Sequence, residues 1–241
     1  MRSEEFYDQL SNNYSSLHGV SKHYLAAIDR VVASHIDGAR SWLDVGTGDG
    51  LRAASIVDSL HRPPRSITLC DSSLGMVKTA RQHLPSRRVV RWTLEEDPPF
   101  VANESFQFIT LLGNVLGHIH PQTARLNQLT ILHQLMDDDG ILLLDFNNRW
   151  NVRAYGTWNA GINILRDLVH QPRATFTVTK SINGELISTP VYIGSVKEYR
   201  TLLNISEFNI DRIIYFNYAS GKSEWVLTGQ GFIEASKKEG S

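Results

Sequence analysis

Leu43-Asp44-Val45-Gly46-Thr47-Gly48-Asp49-Gly50 is the stretch on which the fold turns. It continues Ser41-Trp42, so a short apolar run of the kind that forms a buried strand leads directly into three glycines on alternate positions. A helical period opens at Leu51. Glycine lets the backbone turn sharply and lets a ligand approach without meeting a Cβ. The amides that open the next helix supply donors and the positive end of a dipole. Twenty-one residues past Gly50, Asp71 closes a second apolar run, Ser66 to Cys70. A carboxylate at that place can accept both hydroxyls of a ribose. A dinucleotide fingerprint would put its third glycine at residue 51, but residue 51 is Leu and the third glycine stands at Gly50. A glycine-rich turn without a ligand is the plainer alternative. The order of loop, helix and distant acid favours a nucleoside site.

Working outward, Val20 to Ile36 has helical spacing and reads as an amphipathic helix ahead of the first strand. Downstream the chain alternates. Leu51 to Leu60 reads as helix, Ser66 to Cys70 as strand, Met76 to Leu84 as helix ended by Pro85, and Val89 to Trp92 as strand. Phe106 to Leu112 reads as a fourth strand, Ala124 to Met136 as helix, Asp137-Asp138-Asp139-Gly140 as a polar turn, and Ile141 to Phe146 as a fifth strand. Such alternation predicts βαβ units and a parallel sheet with helices on both faces. After Phe146 the rhythm changes. Asn147 to Gln171 is mixed loop and helix. Asn183-Gly184 predicts a hairpin between Ala174–Ile182 and Glu185–Ile193. Ser195-Val196-Lys197-Glu198 is a capping box opening a helix through Leu203. Phe208 to Tyr218 and Trp225 to Ala235 read as an antiparallel pair completing the sheet. One α/β domain over 1–241 follows: a helical cap (1–40), a core (41–146), an insert (147–193), and a final helix with antiparallel strands (194–236).

Apolar residues make up 41% and charged residues 20%, which is ordinary for a globular chain and too apolar for disorder. One cysteine, Cys70, rules out an internal disulfide framework and a Cys₄ zinc site, and no metal is expected. Lys plus Arg is 24 against 25 for Asp plus Glu, so a net charge of −1 gives no global pull toward phosphate backbones or anionic lipid. The first residues are acidic and mixed, unlike a secretory leader, and no apolar run approaches a membrane span. The expectation is a cytoplasmic protein with no nucleic-acid or membrane partner; oligomeric state is left open.

At these motifs the chain resembles the class I S-adenosylmethionine-dependent methyltransferases. Leu43 to Gly50 resembles their first motif and Cys70-Asp71-Ser72-Ser73-Leu74-Gly75-Met76-Val77 their second. Phe106 to His118 resembles the fourth-strand motif, and Leu135 to Asp145 the stretch leading into strand five. The resemblance covers about residues 1–146, and Ser195 to Ala235 more weakly. It implies a Rossmann-like α/β fold with a seven-stranded, mostly parallel sheet whose last strand is antiparallel, plus a small insert. It implies S-adenosylmethionine as cofactor and S-adenosylhomocysteine as product. Gly46, Thr47, Gly48 and Gly50 would pass under the methionyl and ribose parts, with Asp44 on the methionine amino group. Asp71 and Ser72 would hold the ribose, and Met76 would pack near the adenine. Thr93-Leu94-Glu95 occupies the region that reads the adenine amino group, and Leu112 and Gly113 continue the wall. Tyr14, in a "Y-D-x-x-x-x-x-Y" opening helix, resembles a residue that covers the cofactor.

Methyl transfer from a sulfonium is a displacement, so positioning supplies much of the catalysis. A base matters when the acceptor must lose a proton. His118 and His120 follow strand four at the edge where ligands bind, and either reads alternatively as a packing or surface histidine. Gly113-Asn114 with a following His is similar to a stretch of glycine and sarcosine N-methyltransferases, which makes Asn114 a third catalytic candidate. Asp145-Phe146-Asn147-Asn148-Arg149 resembles their stretch after strand five and would give Arg149 a carboxylate to clamp. Trp150, Tyr155 and Trp158 would wall the acceptor, or form a satellite cluster under the insert. The expected function is methyl transfer to nitrogen or oxygen of a small metabolite. Two rivals stand beside it. Asp97-Pro98-Pro99-Phe100 matches a motif of nucleic-acid amino-group methyltransferases, although it precedes the better fourth strand. A non-catalytic cofactor-binding subunit is the other.

Overall fold

The computed structural model describes residues 1–11, 22–93, 96–101, 104–169, 175–182 and 184–238. The glycine stretch sits where the sequence places it, between β1 (Ser41–Val45) and α3 (Leu51–Asp58). Around it lie β2 (Ser66–Asp71), β3 (Arg88–Arg91), β4 (Phe106–Leu111), β5 (Met136–Phe146), β8 (Phe208–Phe216) and β9 (Gln230–Lys237). They form a seven-stranded sheet in the order β3-β2-β1-β4-β5-β9-β8. The pairs from β3 through β5 are parallel, and β9 runs antiparallel between β5 and β8.

Both faces of the sheet are buried, which explains the near-continuous apolar strands. Leu43, Val45, Leu142 and Leu144 point to one face, against Leu129 and Leu132 of α5 (Gln122–Leu135) and Leu202 and Leu203 of α8 (Val196–Ile205). Trp42 and Leu143 point to the other, against Ile28 and Val32 of α2 (Lys22–Ile36) and Ala53 and Ile56 of α3. The helix α4 (Leu74–His83) begins two residues before the expected Met76, because the Ser73 hydroxyl caps it by accepting from the Met76 amide at 3.1 Å. The capping box at Ser195 opens α8 as expected.

Two expectations need correction. Asp137 to Gly140 is not a turn between helix and strand but a bulge inside β5: Phe106 pairs with Met136, and Phe108 already with Ile141. Arg40 holds it there from across the sheet edge, reaching Asp137 at 2.9 Å and Asp139 at 2.6 Å. The last strand starts at Gln230 rather than Trp225, because Trp225 to Thr228 closes a turn through the Thr228 amide and the Trp225 carbonyl at 2.9 Å.

The insert contributes α6 (Val152–Tyr155), α7 (Thr157–Leu168) and a separate two-stranded sheet of β6 (Thr175–Ile182) and β7 (Glu185–Tyr192). Ile182 faces Glu185 across the turn, where Gly184 has φ 88°; Asn183 lies outside the described residues. The first helix, α1 (Ser3–Leu10), lies across this hairpin and α4, with Phe6 and Leu10 buried against Met76 and Ile187. Asp8 fixes it by accepting from the Ser73 hydroxyl at 2.6 Å and the Gly75 amide at 2.8 Å. Among the described residues, no helix is long and apolar enough to cross a membrane.

Candidate active site

A cavity of about 380 Å³ opens at the carboxyl edge of β1, β2 and β4. Gly46, Gly48, Cys70, Asp71 and Ser72 line one end. Gly46 has φ 74°, and a Cβ there would come within 2.6 Å of the Val115 side chain, so only glycine closes this corner. The Gly46 and Thr47 amides donate to the Cys70 carbonyl at 2.8 and 3.0 Å, tying the loop to β2. The Cys70 thiol is buried, and burial pushes its pKa well up. The Asp71 carboxylate accepts from the Gly48 amide at 2.9 Å on one oxygen and from the Ser73 amide at 2.9 Å on the other. Burial outweighs those bonds and lifts its pKa from 3.8 to about 6.

Other expected cofactor residues are placed differently. Thr93, Leu112 and Gly113 line the cavity, but Asp44, Thr47, Gly50 and Met76 do not. Asp44 is buried behind the loop and accepts from the Thr110 hydroxyl at 2.5 Å, which itself accepts from the Trp42 indole at 2.9 Å. Gly50 faces α4, where a Cβ would meet Ala80 at 3.0 Å, so it serves helix packing. Met76 is buried beneath α1 because Phe6 and Leu10 need an apolar seat. Tyr14, Leu94 and Glu95 lie outside the described residues.

At the other end the chain after β4 folds back through a 3₁₀ turn, Val115–His118. The Gly113 and Asn114 amides both donate to one Asp145 oxygen, at 2.7 and 2.6 Å, which pins this loop to the end of β5. His118 and His120 reach the cavity and Asn114 does not. The Asn114 side chain is buried, accepting from the Asn147 amide at 3.2 Å and donating to the Tyr192 carbonyl at 3.4 Å, so it organises backbone instead of touching a substrate. The Tyr7 hydroxyl lies 3.1 Å from His118 Nε2, its ring edge-on at 5.3 Å. Burial, helped by His120, drives the His118 pKa down to about 4, so its imidazole is neutral at neutral pH. Burial also lowers that of His120.

Arg149, expected to clamp a carboxylate, and Trp150, Tyr155 and Trp158, expected to wall the acceptor, stand apart from this cavity. Arg149 is 1% exposed and paired with both the buried Asp167 and the part-exposed Glu198, so its charge is spent on two carboxylates of the chain itself. The Trp150 indole donates to Asp167 at 2.6 Å. Tyr155 and Arg149 border a second cavity with Asn159, Asn163 and Phe176, and Trp158 is 79% exposed. Asp97-Pro98-Pro99-Phe100 is a loop between β3 and β4. The Phe100 ring packs edge-on against Trp92 and Phe106 at 5.5 and 5.4 Å, and Arg88 donates to the Pro99 carbonyl at 2.9 Å.

Sequence reasoning passed over Tyr7, Trp92, Gln128, Thr189 and Pro190, all of which line the cavity. Tyr7 opens the very motif that drew attention to Tyr14. Gln128 carried a readable signal, being polar on the inner stripe of α5 one residue before Leu129.

A family model for the methyltransferase domain matches residues 43–140. No curated protein matches the chain in sequence. Solved structures match it in fold. The CcbJ methyltransferase from Streptomyces caelestis is similar with a TM-score of 0.70 at 11% identity, over 97% of this chain and 98% of that one. CalS10, an amino pentose methyltransferase from Micromonospora echinaspora solved with S-adenosylmethionine, gives 0.61 at 12% identity over 93% and 96%. The sugar N-methyltransferase KedS8 from Streptoalloteichus gives 0.60 at 13% identity over 94% and 91%.

Proposed function

We propose that the chain is a class I S-adenosylmethionine-dependent methyltransferase, as the methyltransferase-domain model matching residues 43–140 supports, and that it methylates nitrogen or oxygen of a small metabolite. One observation carries this reading: a single cavity joins the glycine loop and Asp71 to a neutral imidazole, His118. The residues present suit the cofactor. Each Asp71 oxygen accepts one amide and keeps a lone pair for a ribose hydroxyl. Gly46 and Gly48 leave the loop side bare, and Ser72, Thr93, Leu112 and Gly113 complete the wall. Bound S-adenosylmethionine supplies an electrophilic methyl group on a sulfonium.

The chain's own work is to hold an acceptor in line inside a water-poor pocket, an effect that reaches several kcal/mol. His118 accepts the proton that the acceptor sheds. Before transfer its imidazole is neutral and adds no charge beside the sulfonium; it becomes imidazolium only as it takes the acceptor's proton, while methyl transfer discharges the sulfonium, and Tyr7 fixes its ring. The packing of Phe100 under Arg88 and edge-on against Trp92 and Phe106 supports a small acceptor over a flipped base, since that ring is already engaged within the protein. Similarity in fold to methyltransferases of an amino pentose and of a sugar nitrogen supports it too.

Calorimetric titration with S-adenosylmethionine and S-adenosylhomocysteine tests the reading. Binding is expected, with Asp71→Ala weaker by about tenfold or more. Transfer of labelled methyl to a small-metabolite extract is expected to fall about 10²-fold in His118→Ala with cofactor affinity retained. A parent protein without affinity for either compound, or an Asp71→Ala variant that binds as tightly, sinks the reading.

A further inference from the structure

Gln128 is 1% exposed on the inner stripe of α5, which it shares with Arg125, Leu129 and Leu132, and neither its amide oxygen nor its amide nitrogen meets a protein partner. It lines the cavity. His118 Nδ1 and His120 Nε2, on residues that line the same cavity, are likewise buried and unpartnered. Buried polar groups are ordinarily satisfied, and a Leu at position 128 would fill similar volume without leaving an amide unmet. Four unmet atoms on three cavity-lining side chains form a set prepared for a ligand.

The chemistry of the set defines that ligand. A carboxamide offers one acceptor and one donor group, and each neutral imidazole offers one nitrogen that does either according to its tautomer. None of the three carries a fixed charge. Arg125, on the same helix, is held by the Ile119 carbonyl at 2.7 Å and lies over the Tyr192 ring at 3.8 Å. A carboxylate or phosphate acceptor would call for a cation turned to this wall; Arg2 lines the same cavity but is paired with Glu4 at 2.7 Å. Hydroxyl and amino groups, which donate and accept at once, match it. We propose that Gln128, with His118 and His120, forms the acceptor-recognition wall, and that the acceptor is an amino-alcohol or polyol bearing a hydroxyl beside the methylated atom. This rests on the methyltransferase reading above.

Protein saturated with S-adenosylhomocysteine is titrated with serinol and glucosamine, and with glycine and benzylamine as carboxylate-bearing and hydroxyl-free controls. At least one hydroxylated amine is expected to bind about tenfold tighter than both controls. Gln128→Leu, and Gln128→Met as a second variant, are expected to erase that preference. Both should keep S-adenosylhomocysteine affinity within about twofold and unfold at the same or a higher temperature, because an unmet amide is gone. A parent that binds S-adenosylhomocysteine but neither hydroxylated amine, or that prefers a control, overturns the proposal. So do variants that keep the preference, which would leave Gln128 a packing residue. A parent that fails to take up S-adenosylhomocysteine removes the methyltransferase premise itself, and the inference falls with it; the first titration separates that outcome from the others.

Discussion

Asp71 titrates where most aspartates no longer do, because burial raises its pKa from 3.8 to about 6. On the proposed reading the ionised carboxylate is the form that would accept two ribose hydroxyls, so affinity for S-adenosylhomocysteine is expected to hold above about pH 7 and weaken as pH falls through about 6. Calorimetry across that window checks this, and Asp71→Asn should flatten the profile. His118 stays neutral there, since its pKa lies near 4, and cannot account for the loss. For the free protein the sign reverses. A carboxyl whose pKa rises on folding favours the folded state only while it is protonated. Its contribution is therefore largest below about pH 4 and is lost as pH rises through about 6. The sequence placed Gly46, Gly48 and Asp71 beside one another, and all three line the cavity, because a turn between strand and helix needs glycine and the second strand ends at the same edge. Arg149 was not legible: its partners Asp167 and Glu198 lie far along the chain, and nothing local tells a buried ion pair from a ligand clamp.

Among the elements, α1 has the most to do with the cavity although it belongs to none of its strands. It reaches α4 through Asp8 and the hairpin through Phe6 and Ile187, and Tyr7 of the same helix meets His118. Asp8→Ala removes both bonds to Ser73 and Gly75, about 1–3 kcal/mol of docking. Faster hydrogen exchange in α1 and several-fold weaker S-adenosylhomocysteine binding are expected, with exchange in β1 to β5 unchanged. Unaltered exchange in α1 would refute the bridging role. The five parallel strands could be read because strands covered on both faces must be apolar throughout, and the hairpin because Asn-Gly suits its turn. The bulge at Asp137 to Gly140 could not, since it depends on Arg40, which lies just ahead of β1 and about a hundred residues away in sequence. The seat of α1 was hidden for the same reason, as Met76 and Ile187 are remote in sequence.

For the molecule as a whole, the strand order brings the carboxyl ends of β1, β2 and β4 together under one cavity, which the first helix and the hairpin help to line. A ligand there grips residues from distant parts of the chain and favours only the folded state. S-adenosylhomocysteine at about a hundred times its Kd should add about 2.7 kcal/mol and raise the unfolding temperature by roughly 5–10 °C in one transition. Differential scanning calorimetry checks this, and a second, unshifted transition would show that the insert unfolds separately.

Cys70 is the only sulfhydryl in the chain, set in the second strand with 1% of its surface open and its proton firmly held. Alkylating reagents attack the thiolate, so the native molecule should be inert to them except in the brief intervals when that strand parts from its neighbours. The protein thus carries its own stopwatch for breathing of the central sheet, and any compound that steadies the loop bonded to the Cys70 carbonyl should slow it.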